Sequence, residues 1–85
     1  MKQSTYRGTV IEERLSPGSK SERMGVVLHT DAGEYLLRRI GANALRDEVL
    51  RTLLGCVVEV TGFLKGSTIF LESEPRLLDS RHTLQ

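Results

Sequence analysis

The chain has 85 residues, a formal net charge of +1 and 39% apolar residues. This length holds one small domain with a lean core, and the near-neutral charge argues against a protein that holds duplex DNA mainly through its phosphates. The single cysteine, Cys56, excludes an internal disulfide and a cysteine-based zinc site, and it favours a reducing, cytoplasmic setting. No apolar run approaches the roughly 20 residues of a membrane span.

The first 40 residues predict three strands. β-branched and aromatic residues dominate the start of the segment 5–15, which we interpret as a strand with a bend or bulge at Gly8. The polar segment 16–23 contains Pro and Gly and no apolar anchor, which predicts a mobile loop. Residues 25–30 and 35–40 predict a hairpin around a short glycine-containing turn.

The rest of the chain predicts one helix and two strands. Apolar residues recur at helical spacing over residues 44–54, and Gly55 follows where helices commonly end. Residues 56–65 and 68–73 read as strands because β-branched and aromatic residues dominate them.

Pro75 ends the last predicted strand, because proline cannot donate to a strand ladder. We therefore predict a barrel domain at residues 1–75 and a C-terminal tail at residues 76–85.

The predicted order β-β-β-α-β-β resembles the OB-fold, a Greek-key barrel of five strands. An SH3-like barrel also has five strands, but the helical stretch of 11 residues at 44–54 favours the OB-fold-like barrel. The resemblance implies a mainly β protein whose one α-helix closes one end of the barrel. The predicted interior residues are Val10, Val26, Leu28, Leu36, Leu53, Val58, Val60, Ile69 and Leu71.

A narrower resemblance is carried by the middle of the chain. The residues that carry it are Tyr35-Leu36-Leu37-Arg38-Arg39, Asn43, Asp47, Leu50, Leu53, Gly55 and Val57. They resemble small uncharacterised bacterial proteins whose middle segment reads Leu-Arg-Arg, then Asn-Pro-Phe, an acidic residue and Leu-Val-Gly. Ala44-Leu45 stands here in place of Pro-Phe. The resemblance implies the same fold and a bacterial, intracellular setting, and it implies no activity.

Catalysis has little support in the sequence. His29 and His82 are far apart, and the chain has neither a nucleophile elbow nor a phosphate-binding glycine loop. Cys56 opens an apolar strand and has no second cysteine to resolve it, so we interpret it as a packing residue. We therefore expect a protein that is not an enzyme, with no cofactor and no metal ligands.

Arg38 and Arg39 are the most informative polar pair. Successive side chains of a strand point to opposite faces, so at least one guanidinium is expected at the barrel rim or beside a carboxylate. The pair then serves either surface ion pairing or a binding face. For a binding face, the candidate residues are Tyr35, Arg38, Arg39, Lys20 and Arg23.

Two functions remain open at this point. The first is a non-catalytic OB-like binding module for protein–protein interaction or self-association, with a protein partner or a homo-oligomer and no membrane. The alternative is single-stranded nucleic-acid binding through the strand 2–3 face and the 16–23 loop. We favour the first because a charge of +1 and four aromatic residues offer little to a single strand.

Overall fold

The computed structural model describes residues 3–15, 23–41 and 48–79, and for Leu15 and Arg23 it describes the backbone alone. The elements in chain order are β1 (Ser4–Leu15), β2 (Arg23–Thr30), β3 (Gly33–Arg39), α1 (Glu48–Arg51), β4 (Val57–Lys65), β5 (Thr68–Leu71) and β6 (Arg76–Asp79). Arg23 belongs to β2, so the strand begins two residues before its predicted start. The rest of the predicted loop, residues 16–22, lies outside the described residues.

Five of these strands close into a barrel. The sheet runs in the order β1-β2-β3-β5-β4, and β4 pairs with β1 to complete the circuit. β1 can close it because residues 4–9 pair with β4 while residues 9–15 pair with β2. This mainly β barrel, with a short helix between β3 and β4, confirms the predicted OB-fold-like class.

Gly8 lies where β1 changes partner. A Cβ atom built there would lie 2.2 Å from the backbone oxygen of His29 in β2, far inside van der Waals contact. Only glycine therefore allows the two backbones to approach this closely. The predicted special role of Gly8 in bending the first strand thus has a direct steric cause.

The core follows the alternation of the strands. Val58 and Val60 on β4 and Ile69 and Leu71 on β5 are buried, while their chain neighbours are more exposed. The buried cluster consists of Val10, Val26, Leu28, Leu37, Leu50, Cys56, Val58, Val60, Ile69 and Leu71. Cys56 packs in this cluster, as its position at the start of an apolar strand indicates.

Two predicted core residues are replaced by neighbours. Leu37, not Leu36, points inward, because Leu36 pairs with the outward-facing Val27 and Leu37 therefore faces the other side. Leu50 is 1% exposed and fills the core, whereas Leu53 is half-buried and packs against it.

The described helix ends before the predicted end at Leu54. It spans Glu48–Arg51, and the chain then tightens into a turn in which the Leu53 amide donates to the Leu50 carbonyl at 3.1 Å. The Gly55 amide donates to the Val10 carbonyl of β1 at 2.7 Å, not to a carbonyl of the preceding turn. This hydrogen bond to β1 ends the helical turn. The predicted start of the helix lies in residues 42–47, outside the described residues.

The sheet continues past the predicted domain boundary at residue 75. β6 pairs antiparallel with residues 57–59 of β4, on the edge of β4 opposite to the one that pairs with β1, with a register shift between Val57 and Val58. The first four residues of the predicted tail are therefore a sheet strand. Residues 80–85 lie outside the described residues.

Leu50→Ala should lower the free energy of unfolding by about 2–5 kcal/mol, because it leaves a cavity in the core. Leu53→Ala, at a half-buried position, should cost less than about 2 kcal/mol. Urea denaturation of both variants measures the difference. Equal losses would contradict the assignment of Leu50 as the side chain that fills the core from α1.

Gly8→Ala should destabilise the protein by at least about 2 kcal/mol, because the new methyl group meets the His29 carbonyl and the backbones must separate. Ser4→Ala, an exposed change on the same strand, is the matched control and should fall within about 0.5 kcal/mol of the unaltered protein. A Gly8→Ala variant with an unchanged urea midpoint would show that the fold does not require the close approach of the Gly8 and His29 backbones.

Candidate interaction surfaces

The structure distributes the five candidate binding residues over different places. Tyr35 and Arg39 point to the same inner side of β3 as buried Leu37, whereas exposed Arg38 points outward. Lys20 lies outside the described residues, and Arg23 is described by its backbone in β2. The described residues among the five therefore do not form one patch.

The ring of Tyr35 packs against another aromatic ring, that of Tyr6. Its ring and that of Tyr6 have centroids 5.6 Å apart and are tilted by 47°. Both side chains are half-buried and pack against the core cluster. Tyr35 thus extends the core at the start of β3.

The outer face of β1, β2 and β3 has an apolar centre. Ile11, Val27 and Leu36 lie side by side in register on the three strands. Val27 is 3% exposed although it points away from the barrel interior. A covered apolar residue on an outer face requires neighbouring side chains that close over it.

Two carboxyl groups flank the Val27 position. Glu13 pairs with Gly25 and Glu34 pairs with His29, so the two glutamates lie on opposite sides of β2, two residues before and two after Val27. A side-chain hydrogen bond joins Glu13 to Glu34. The Nδ1 atom of His29 lies 3.1 Å from the Oε2 atom of Glu34.

The shared hydrogen bond changes both acidities in opposite directions. It raises the pKa of Glu13 above its ordinary value, with desolvation and the charge of Glu34 adding to the rise. It lowers the pKa of Glu34, and the hydrogen bond to His29 lowers that pKa further. Within residues 3–15, 23–41 and 48–79, no cluster of His, Cys, Asp and Glu is arranged to hold a metal ion.

A second outer row combines two aromatic rings with a cation. Phe63 on β4 pairs with Phe70 on β5, and Phe70 pairs in turn with Arg38 on β3. Both phenylalanines are half-buried and Arg38 is exposed. The alternation of β4 predicts that Phe63 and Val58 lie on opposite faces of the strand. The parallel pairing of β3 with β5, which brings Arg38 beside Phe70, has no local sequence signal.

β6 forms an open edge of the described sheet. It pairs with β4 on one side, and among the described strands none pairs with its other side. All four of its residues are exposed, including Leu77 at 52% and Leu78 at 41%. Arg76 lies 3.8 Å from Glu59, which Arg7 of β1 also binds at 2.8 Å.

Comparison with protein-family models, curated proteins and solved structures finds no match to this chain. The fold therefore defines its class, which is that of the small OB-like β-barrels. Within the described ranges, no helix has the length and apolar character needed to cross a membrane.

Glu13→Gln should flatten the pH dependence of stability on the acid side of neutrality. The raised pKa of Glu13 means that its contribution is full at low pH and is lost as pH rises through that pKa. The lowered pKa of Glu34 gives a contribution that is present above the unfolded pKa and lost as pH falls through the folded one.

The glutamine amide donates to Glu34 at every pH. The variant therefore loses the pH dependence that comes from Glu13 and keeps the one that comes from Glu34. Melting temperatures between about pH 4 and pH 7 measure the change, with the exposed Glu74→Gln as matched control. If the melting temperatures of Glu13→Gln and of the unaltered protein changed equally with pH, protonation of Glu13 would play no part in stability.

Proposed function

We propose that this protein is a non-catalytic OB-like binding module that mediates protein–protein interaction or self-association. The observation that carries the proposal is the edge strand β6, which exposes Leu77 and Leu78 and has no strand paired to its other side among the described residues. An open strand edge is a template for pairing with another chain, and exposed apolar side chains beside it gain by being covered.

The outer face of β1, β2 and β3 supports the same proposal. Its apolar row is bordered by the acidic pair Glu13 and Glu34, which repels phosphates at neutral pH. Arg38 is the exposed cation of the described part of β3, and one cation offers a single strand few phosphate contacts. Mixed charge around apolar positions suits a protein partner.

We place this module in the bacterial cytoplasm. The single reduced cysteine and the resemblance of the middle segment to small bacterial proteins support this setting.

Single-stranded nucleic-acid binding is the second candidate, and one observation favours it. Phe63, Phe70 and Arg38 lie in one row on the outer face, where two rings and a guanidinium are available to stack on bases and meet a phosphate. In this row Phe70 is a candidate contact, whereas Tyr35 lies on the inner side of β3 and packs against Tyr6.

Two measurements on the same samples separate these functions. Sedimentation velocity between about 10 and 500 μM should show concentration-dependent association, and anisotropy with short mixed-sequence DNA and RNA should show no binding at about 100 μM protein. Phe70→Ala and Arg38→Ala should then leave association unchanged.

Micromolar oligonucleotide binding that both variants weaken by at least tenfold, from a protein that stays monomeric, would overturn the proposal in favour of the nucleic-acid function. Circular dichroism of the variants serves as the control for folding.

A further inference from the structure

We infer that the β6 edge receives an extended segment of a partner protein in which an acidic residue stands next to an apolar residue. This inference rests on the proposed function and names the chemistry of its partner. Two rows of side chains that cross the sheet carry it, because both rows end at β6 and none of the described strands lies beyond β6.

The first row alternates in charge over three strands. Arg7 on β1 pairs with Glu59 on β4, and Glu59 pairs in turn with Arg76 on β6, so the three side chains lie on one face of the sheet. The Arg7 Nε atom donates to Glu59 at 2.8 Å, and an Nη atom of Arg76 lies 3.8 Å from the other carboxylate oxygen. Two arginines and one glutamate leave the row with a charge of +1, and its cationic end lies at the edge of the sheet.

Arg76 is placed to meet a further carboxylate. Its side chain is 77% exposed, and its contact with Glu59 is longer than a hydrogen bond. A guanidinium carries five N–H donors, so a carboxylate on an added strand can accept from Arg76. Opposite charges that face each other across strands are favourable, and an acidic residue opposite Arg76 would extend the alternation by one position.

The second row is apolar and lies on the other face of β6. Val58 on β4 pairs with Gly8 on β1 and with Leu77 on β6. Val58 is fully buried, whereas Leu77 at the end of the row is 52% exposed. An apolar side chain opposite Leu77 on an added strand would cover it, and such cross-strand apolar pairs stabilise sheets.

The two rows together define the partner segment. Arg76 and Leu77 are consecutive, so the residues opposite them on an added strand are also consecutive, in a parallel or an antiparallel arrangement. Asp79, at the far end of β6, disfavours an acidic residue opposite itself, so the acidic residue belongs at the Arg76 end. Main-chain hydrogen bonds of strand addition supply affinity, and the two rows supply specificity.

Three capped peptides test the acidic position. They read Thr-Val-Glu-Val-Thr, Thr-Val-Gln-Val-Thr and Thr-Val-Lys-Val-Thr, so the central residue has an apolar neighbour in either strand direction. In titrations followed by amide chemical shifts, the glutamate peptide should shift the signals of residues 76–79 with a dissociation constant on the order of 1 mM. The glutamine peptide should bind about threefold more weakly, and the lysine peptide at least about fivefold more weakly.

Charge reversal and leucine truncation each have a matched control. Arg76→Glu should invert the order, so that the lysine peptide binds best, whereas Arg38→Glu at an exposed position of β3 should keep the original order. Leu77→Thr keeps a strand-favouring residue and should weaken the glutamate peptide at least about threefold. Leu64→Thr, at a leucine that is 40% exposed, should leave binding unchanged. Thermal melts verify that each variant is folded.

The outcomes separate this inference from the proposed function. Equal binding of the three peptides, shifts confined to another surface, or no shift at about 5 mM peptide would each overturn the acidic and apolar partner segment. Self-association that persists in that case leaves the proposed function in place through another surface. A protein that binds none of the peptides, stays monomeric at about 500 μM and binds oligonucleotides overturns the proposed function as well.

Discussion

Barrel closure depends on one strand that serves two neighbours. β1 pairs with β4 through its first half and with β2 through its second half, and the change of partner occurs at Gly8 and Thr9. The backbone of His29 approaches Gly8 so closely that any Cβ atom would collide with it. A small barrel needs this sharp coiling because five strands can close only when one of them bends across the gap.

The same strand also organises the chain around the helix. The Val10 amide donates to the Cys56 carbonyl, and the Val10 carbonyl accepts from the Gly55 amide. These bonds connect the end of the α1 turn to the middle of β1, and Arg51 of α1 binds Glu12 on β1. Leu50 is thereby held over the core, and the entry into β4 is set by β1.

Closure leaves the barrel with distinct surfaces. The outer face of β1, β2 and β3 carries an apolar row flanked by two glutamates that share a hydrogen bond. β6 continues the sheet beyond the barrel circuit and presents leucines with an arginine and an aspartate at its ends. The function that we propose assigns the interaction to the second surface, because β6 exposes apolar side chains and has one neighbour among the described strands.

The sequence by itself determined the first five strands and the hairpin turns, because alternation and glycine or proline act locally. It wrongly placed Leu36 rather than Leu37 in the interior, since both are apolar and only the pairing of β3 with its neighbours decides which points inward. Glu13 and Glu34 meet across β2, and Phe70 meets Arg38 through a parallel pair, from positions far apart in the chain. β6 is too short to show a period, and it became a strand because β4 offered it an edge. Contacts between distant segments are made by the folded sheet, so only the tertiary structure decided them.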